Sequence, residues 1–289
     1  MNSPRDTINH QSMQRRFARA ASSFDVASFV HQQTLRALLD RLAPVVMSPA
    51  LILDIGAGTG IGSRALAKRY RKSRVVSLDL SADMLALAKG NKPFFSKLSE
   101  LRADANQLPI SSDSVDLVFA NLLLPWIDDL SICLAEISRI LKKGGVFAFA
   151  TLGPDSLNEL RRAWATVDSD VHVRSFADMH DVGDALLQNG LADPVLDVDY
   201  LTVTYEDTIS LYRDLSACGA RNSLAPRRKS LTGKNRFTRM ENAITKEIAS
   251  NRFKMTLELV YGHAWGVGPR PKNGEFHLDA NTIPRRERR

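Results

Sequence analysis

The chain has 289 residues, of which 44% are hydrophobic and 25% are charged. This composition is typical of a globular protein with a sizeable core. No apolar run reaches the roughly 18 residues needed to cross a bilayer, and residues 1–5 lack the apolar stretch of a secretory signal. We therefore expect a cytoplasmic protein without a membrane partner. The two cysteines, Cys133 and Cys218, lie far apart and give neither a metal-binding spacing nor a disulfide framework, so no metal site is predicted.

The formal charge of +7 is concentrated in one part of the chain. Between residues 220 and 240 there is no acid, and the basic residues are Arg221, Arg227, Arg228, Lys229, Lys234, Arg236 and Arg239. Such a run indicates an anionic partner, and it is equally typical of a solvated loop. Residues 269–289 end in further arginines and are expected to form a disordered basic tail.

Residues 12–43 show apolar side chains at spacings of three and four, which predicts helices with a break near Ser22 and Ser23. Short apolar runs then alternate with helical segments. The predicted strands are 51–53, 75–79, 97–102, 115–120 and 146–151, and the predicted helices between them include 61–70, a helix capped by Ser81, and 130–142, stopped by Gly144 and Gly145. This alternation predicts an α/β protein with a doubly wound, mostly parallel sheet.

The second half continues the pattern less regularly. Helices are predicted at 156–167, 178–189 and 209–218, and strands at 197–204 and 257–261. The expected organisation is N-terminal helices over 1–45, a core over 46–205, a helical insertion covering the active site over 206–250, a final core strand within 251–268, and the tail.

A glycine-rich loop follows the first predicted strand. Its glycines stand at 56, 58 and 60, a spacing that lets backbone approach a ligand and turn into a helix. Ile61 stands where the dinucleotide pattern has a third glycine or alanine. Asp54 precedes the loop, and its carboxylate would repel a pyrophosphate but could hold the ammonium of an amino-acid ligand. The loop therefore favours a nucleoside that carries an amino acid.

Three further polar residues stand at the ends of the next predicted strands. Asp79 could accept hydrogen bonds from the hydroxyls of a ribose, and Asp104 from the exocyclic amine of an adenine, while Asn121 ends the fourth strand. These ends fall on one edge of a parallel sheet. The predicted cofactor-binding residues are Asp54, Gly56, Ala57, Gly58, Gly60, Asp79, Leu80, Met84, Asp104, Ala105 and Asn121.

Residues 50–151 resemble the class I methyltransferases that use S-adenosyl-L-methionine (SAM), notably at 113–118, 122–126 and 136–145. The flanks 17–25, 151–161, 172–176, 215–222 and 260–266 resemble the malonyl-acyl-carrier-protein O-methyltransferase family of biotin synthesis. This resemblance implies a Rossmann-like fold, SAM as cofactor, and methylation of the free carboxylate of malonyl-acyl-carrier protein to its methyl ester. Phe24 stands where that family more often has tyrosine.

Two alternatives remain open at this point. The same fold serves methyltransferases of other small molecules, such as a quinone or another acid. It also serves assembly factors of the complex I type, which share the core and resemble residues 155–161 but modify protein arginine. The segment 261–265 favours the malonyl family.

The implied chemistry limits which residues can be catalytic. A carboxylate nucleophile has a pKa near about 4 and is already ionised at neutral pH, so no general acid or base is predicted. Arg174 and then Arg221 are the candidates for binding the substrate carboxylate, although either could form a surface salt bridge. His172 and His263 are expected to be structural residues or to lie at the rim of the site.

The basic run between residues 220 and 240 is expected to attract the acidic carrier protein rather than nucleic acid, since it contains only Phe237 as an aromatic residue and no recognisable nucleic-acid-binding module.

Overall fold

The computed structural model describes residues 7–245 and 252–268. The helices are α1 (His10–Ala27), α2 (Phe29–Arg41), α3 (Ile61–Arg69), α4 (Ala82–Gly90), α5 (Leu130–Ile140), α6 (Asn158–Ala165), α7 (Met179–Gln188), α8 (Thr208–Ala217) and α9 (Lys234–Thr245). The strands are β1 (Leu51–Ile55), β2 (Arg74–Asp79), β3 (Leu98–Arg102), β4 (Val115–Asn121), β5 (Leu141–Leu152), β6 (Leu191–Tyr205) and β7 (Phe253–Gly266). A short 3-10 helix spans Leu124–Trp126.

The strands form one sheet in the order β3-β2-β1-β4-β5-β7-β6. The first five are mutually parallel, whereas β7 lies antiparallel to both β5 and β6. The predicted doubly wound, mostly parallel sheet is therefore confirmed. Because β1 to β4 run in the same direction, their carboxyl ends meet at one edge, where open α/β sheets bind ligands.

Both faces of the sheet are covered, and β4 shows why. Its residues alternate between the faces: Val118 and Ala120 pack with α5 and α7, while Leu117 and Phe119 pack with α2 and α3. All four are fully buried. A strand buried on both faces has the continuous apolar sequence that was used to predict it. In the described ranges, no helix is both long and apolar enough to span a membrane.

Three of the helices after β5, namely α6, α8 and α9, build a smaller core of their own. Trp164 of α6, Leu211 of α8 and Met240 of α9 pack together against Phe253 and Met255 at the start of β7. The predicted helical insertion over 206–250 thus contains α8 and α9, and it is anchored to the sheet through β7. The predicted tail 269–289 lies outside the described residues.

Two predicted boundaries were wrong. The break between the first two helices lies at Ser28 rather than at Ser22 and Ser23. The hydroxyl of Ser23 lies within hydrogen-bond distance of the carbonyls of Ala20, at 3.1 Å, and of Ala217 in α8, at 2.9 Å, so it has an acceptor without any break in α1. The predicted glycine stop after 130–142 is also absent, because α5 ends at Ile140 and β5 begins at once. Gly144, with φ of 75°, lies instead where the pairing of β5 with β4 shifts register.

Candidate active site

The glycine loop connects β1 to α3 through left-handed backbone. Gly56, Gly58 and Gly60 have φ values of 71°, 55° and 78°, which favour glycine. The amides of Gly56 and Ala57 both donate to the carbonyl of Leu78, at 2.8 and 3.0 Å. These bonds hold the loop against the end of β2 and fix its distance from that strand.

Asp79 ends β2 and faces the same loop. One carboxylate oxygen accepts from the amide of Gly58 at 2.8 Å, and the other accepts from the amide of Ser81 at 2.8 Å. Burial raises the pKa of Asp79, and the backbone hydrogen bonds oppose that rise. As predicted, the side chain of Ser81 caps α4 by accepting from the amide of Met84.

A cavity of about 120 Å³ opens at this edge, and we call it the cofactor cavity. Eight predicted residues line it, namely Gly56, Gly58, Asp79, Leu80, Met84, Asp104, Ala105 and Asn121. Among its described lining residues there is no lysine or arginine. The side-chain oxygens of Asn106 and Asn121 are buried there without a hydrogen-bond partner among the described residues. The cavity therefore offers acceptors to a ligand rich in donors, and its described walls supply no cationic side chain to an anionic one.

The other three predicted residues, Asp54, Ala57 and Gly60, do not line this cavity. The carboxylate of Asp54 lies beneath α3, where it accepts from the hydroxyl of Ser63 at 2.6 Å, and that hydroxyl accepts from Ser77 at 2.7 Å. Burial raises the pKa of Asp54 to about 7, while the bond from Ser63 opposes the shift. Any influence of Asp54 on a ligand must therefore act through the loop, through water or through its charge.

The first helix covers the cofactor cavity from above. Met13, Phe17 and Phe24 of α1 contribute to its walls. The ring of Phe24 packs edge-to-face on His31 with centroids 5.0 Å apart, and Phe17 packs likewise on Trp126 at 5.0 Å. Because residue 24 is phenylalanine, this part of the wall is apolar and offers no hydroxyl.

A second cavity of about 600 Å³ lies beyond α1, and we call it the substrate cavity. The two cavities share the lining residues Phe17, His31, Leu122 and Trp126. Its walls are mostly apolar, but five arginines also line it, namely Arg16, Arg174, Arg221, Arg227 and Arg228. This combination suits an acidic ligand with a long, largely uncharged body.

Both predicted carboxylate-binding arginines line the substrate cavity, in different environments. Arg174 donates to the carbonyls of Pro125 and Ile127 at 2.6 and 2.8 Å, and lies 3.5 Å from Asp128. It thus braces the segment that carries Trp126. Arg221 is exposed, donates to Ser216 and lies over the ring of Tyr212 at 5.1 Å.

Sequence analysis missed two residues at these cavities. His31 lines both of them, and burial lowers its pKa to about 4, so its imidazole is neutral at pH 7. Arg16 lines the substrate cavity, and its Nε is buried without a partner among residues 7–245 and 252–268. Neither follows a strand end. Their places depend on how α1 and α2 dock over the sheet, which no local pattern reveals.

The two histidines expected to be structural differ in position. His172 lines the substrate cavity, stacks on Trp164 at 3.8 Å and bonds Asp168 at 2.8 Å. His263 lies within β7, opposite Ala148, and borders neither cavity.

The basic run is not uniform in the folded chain. Arg236 forms an ion pair with Asp168, and Arg239 donates to the carbonyl of Thr166. Lys229 and Lys234 are exposed. The positive charge of the run that is left for a partner therefore lies at the arginines of the substrate cavity, at Lys229 and at Lys234.

Comparison with known proteins shows which family the chain belongs to. The family described as "Methyltransferase domain" matches residues 53–149. Malonyl-acyl-carrier-protein O-methyltransferase of Gallionella capsiferriformans is 40% identical over 269 residues, covering 91% of this chain and 93% of that protein. The same enzyme of Halorhodospira halophila is 40% identical over 288 residues and covers 98% of both chains. The chain belongs to the malonyl-acyl-carrier-protein O-methyltransferase family.

Structural likeness supports the class I methyltransferase fold. The phosphoethanolamine N-methyltransferase 2 of Haemonchus contortus, in complex with SAM, superposes with a TM-score of 0.51 at 19% identity, covering 81% of this chain and 52% of that one. At this identity the likeness concerns the fold alone.

The structure also explains why two of the family-like segments occur together. The turn at Gly153 after β5 packs on Glu258 of β7, so closely that a Cβ on Gly153 would lie 2.3 Å from the carboxyl carbon. The carboxylate of Glu258 accepts from the amide of Asp155 at 2.8 Å, and its backbone carbonyl accepts from Gly153 at 2.9 Å. The segment 151–161, which resembles this family, thus packs on β7 at Glu258, two positions before the family-like segment 260–266, and the two segments pair directly at Thr151 and Val260.

Proposed function

We propose that this protein transfers a methyl group from SAM to the free carboxylate of malonyl-acyl-carrier protein, which forms the methyl ester used in biotin synthesis. One observation carries the proposal. A cavity rich in acceptors at the sheet edge meets a larger cavity with five arginines, at the four residues that line both.

The cofactor cavity fits SAM by the chemistry of its walls. Asp79 would accept from the ribose hydroxyls, and Asp104 or the unpaired oxygen of Asn106 from the adenine amine. Leu80 and Met84 give an apolar surface for the base. The absence of lysine and arginine from the described walls suits a cationic ligand. When bound, SAM would supply an electrophilic methyl group on a sulfonium.

The acceptor needs positioning more than activation. Because a malonyl carboxylate is ionised at neutral pH, no residue has to remove a proton. Alignment of the two partners and exclusion of water are then the main sources of acceleration. Arg174 and Arg221 are proposed to bind the carboxylate, Arg174 from beside the segment that carries Trp126. His31, which lines both cavities as a neutral imidazole, can donate a hydrogen bond there.

The carrier protein is proposed to dock beside the substrate cavity. Acyl carrier proteins are acidic, and opposite charges speed association and orient partners. Arg228, which lines the substrate cavity, and its neighbour Lys229 are both exposed in the loop after α8. We further propose that the protein is cytoplasmic and that neither nucleic acid nor membrane is a partner.

Genetic complementation tests this function in the cell. A bacterial strain that requires biotin because it lacks this methyltransferase should grow without biotin when it expresses the chain. The Asp79→Ala variant, which loses the acceptor at the end of β2, should fail. Failure of the wild-type chain, with the protein present and folded, would favour a different methyl acceptor.

A further inference from the structure

A third cavity, of about 300 Å³, lies on the outer side of α1, and we call it the arginine cavity. Its walls are Asn9, Gln11, Ser12, Arg15, Arg16, Arg19 and Arg227. Four guanidinium groups face one space, and no acid is among the described residues that line it.

The sequence of α1 produces this arrangement. Ser12, Arg15 or Arg16, and Arg19 recur at intervals of three and four, which places them on one side of the helix. Met13, Ala20 and Phe24 are buried on its other side. The part of α1 from His10 to Arg19 carries three arginines and no acid, unlike an ordinary solvated surface, where both signs of charge are mixed.

The second wall is held in place by the loop that follows α8. This loop pairs with the segment before α1 through a bridge between Ile8 and Leu224 and through a bond from the amide of Asn9 to the carbonyl of Ser223, at 2.8 Å. Arg227 then donates to the hydroxyl of Ser12 at 3.1 Å. Its guanidinium is therefore fixed over the α1 arginines rather than free in solvent.

These charges have no counterion in the described part of the chain. Arg15, Arg16 and Arg19 form no ion pair with any acid of residues 7–245 and 252–268. Burial lowers the pKa of Arg16, and the charges of Arg227, Arg221 and Arg19 lower it further. Like charges held together around a buried, unpartnered Nε create a strong positive potential, which a bound anion would relieve.

The arginine cavity continues into the active site. Arg16 and Arg227 line both it and the substrate cavity. The substrate cavity in turn meets the cofactor cavity at Phe17, the residue after Arg16. A ligand can thus extend from a cationic outer site through an apolar space to the cofactor.

We propose that the arginine cavity binds the phosphoryl group of the pantetheine arm that carries the malonyl thioester. The inference rests on the proposed function. Such an arm has a phosphoryl group at one end, an uncharged chain in the middle and the thioester at the other end, in the same order as the three cavities. Guanidinium groups match phosphate oxygens in geometry as well as in charge. Coenzyme A contains the same arm, but the phosphodiester of the carrier protein is the occupant that we assign, because Arg228, which lines the adjoining substrate cavity, and its neighbour Lys229 are exposed to an acidic protein partner.

Two small substrates that differ only in the phosphate test this assignment. Malonyl-4'-phosphopantetheine and malonyl-pantetheine should be assayed with the wild-type protein, with Arg15→Gln/Arg19→Gln and with Arg36→Gln/Arg71→Gln. The last pair removes the same charge from exposed arginines that line none of the three cavities. Binding of 4'-phosphopantetheine and of pantetheine should also be measured directly by calorimetry, because this readout does not depend on turnover.

The wild-type protein should prefer the phosphorylated substrate by about tenfold or more in kcat/KM, and Arg15→Gln/Arg19→Gln should remove most of this preference, as expected for charge-assisted bonds to phosphate. The control pair should retain this preference.

With complete carriers, Arg15→Gln/Arg19→Gln should lose activity on malonyl-acyl-carrier protein. A loss of activity seen only with malonyl-coenzyme A would overturn the carrier assignment. Equal losses on both small substrates, or no preference for phosphate in the wild type, would overturn the site. Absence of methylation of every malonyl thioester, together with binding that still depends on phosphate, would refute the proposed function and not the anion site.

Discussion

The carboxylate of Asp79 accepts a hydrogen bond of 2.8 Å from the amide of Gly58, which joins the end of β2 to the glycine loop. Its second oxygen accepts from Ser81, so the carboxylate also holds the start of α4. One side chain therefore fixes two walls of the cofactor cavity.

Asp79→Asn should weaken cofactor binding. The change removes the charge that strengthens hydrogen bonds from a ribose, and such bonds contribute about 1.5–3 kcal/mol, so the Kd for S-adenosylhomocysteine should rise about 10- to 100-fold. Isothermal titration calorimetry measures this directly. Asp83→Asn, an exposed acid in the first turn of α4, is the matched control. An unchanged Kd for Asp79→Asn would remove Asp79 from the proposed site.

Cofactor binding should also depend on pH through Asp54. Its pKa of about 7 means that the carboxyl is mostly neutral at pH 6 and mostly ionised at pH 8. If its charge attracts the ligand's ammonium, affinity for S-adenosylhomocysteine should improve up to about tenfold over this range, in line with the titration of one group. Asp54→Asn should flatten the profile. A wild-type profile as flat as that of the variant would contradict the role.

The same group predicts how stability changes with pH. Because the folded pKa of Asp54 lies above its ordinary value, its contribution is present at low pH and is lost as the pH rises through about 7. His31, whose pKa is lowered to about 4, acts in the opposite direction, since its contribution is lost as the pH falls from about 6.5 toward 4. The difference in Tm between the ligand-free wild type and Asp54→Asn should isolate the first effect.

Gly262→Ala should destabilise the sheet. Gly262 pairs with Phe149 across β7 and β5, and an added Cβ would lie 2.4 Å from that ring. Overpacking of this kind costs about 1–3 kcal/mol in the free energy of unfolding. Gly90→Ala is the control, because nothing lies within 4 Å of its added Cβ. Equal Tm values for Gly262→Ala and the wild type would show that Phe149 moves freely.

Arg174→Ala should raise the KM for the malonyl thioester about tenfold, as expected for loss of a charged hydrogen-bond donor. Its bonds to Pro125 and Ile127 also predict some loss of thermal stability. Arg162→Ala, on the exposed side of α6, is the control. If steady-state kinetics show an unchanged KM, Arg174 does not bind the substrate and only stabilises the segment that carries Trp126.

Charge reversal at Arg228 and Lys229 should impair use of the carrier protein. The double change to glutamate should lower kcat/KM for malonyl-acyl-carrier protein by about tenfold at low salt, and less at high salt, because electrostatic steering is screened. A short malonyl thioester should be affected much less. Arg71→Glu/Lys72→Glu reverses an exposed adjacent pair before β2 that lines none of the three cavities. Equal losses on the carrier-bound and short substrates would refute steering.

The sheet and most of the cofactor cavity could be predicted because they depend on short-range patterns. Apolar runs marked the strands, and the polar residue that ends each run marked the sheet edge, as at Asp79 and Asn121. Which residues of a strand end face the cavity, and which face the helices that cover the sheet, was harder to predict. Ile55 lines the cofactor cavity, whereas Asp54, one position earlier in β1, points beneath α3.

Features that depend on distant partners were not predictable from the chain. The hydroxyl of Ser23 lies within hydrogen-bond distance of the carbonyl of Ala217, which lies 194 positions later in the chain. The helix α1 therefore continues through Ser23, where the sequence predicted a break. Arg16 and His31 join the site only because α1 and α2 dock over the sheet edge. Arginines at helical spacing are ordinary surface residues until tertiary structure places Arg227 against them.

The most direct test of the proposed reaction is methyl transfer in vitro. Purified protein should be incubated with methyl-labelled SAM and with malonyl-, acetyl- or succinyl-acyl-carrier protein, and the carrier should be analysed by mass spectrometry. We predict that label enters malonyl-acyl-carrier protein as a base-labile ester, that the acetyl form, which has no free carboxylate, gains none, and that the succinyl form gains much less. Label on the carrier polypeptide itself, or equal label on the acetyl and malonyl forms, would contradict carboxyl methylation.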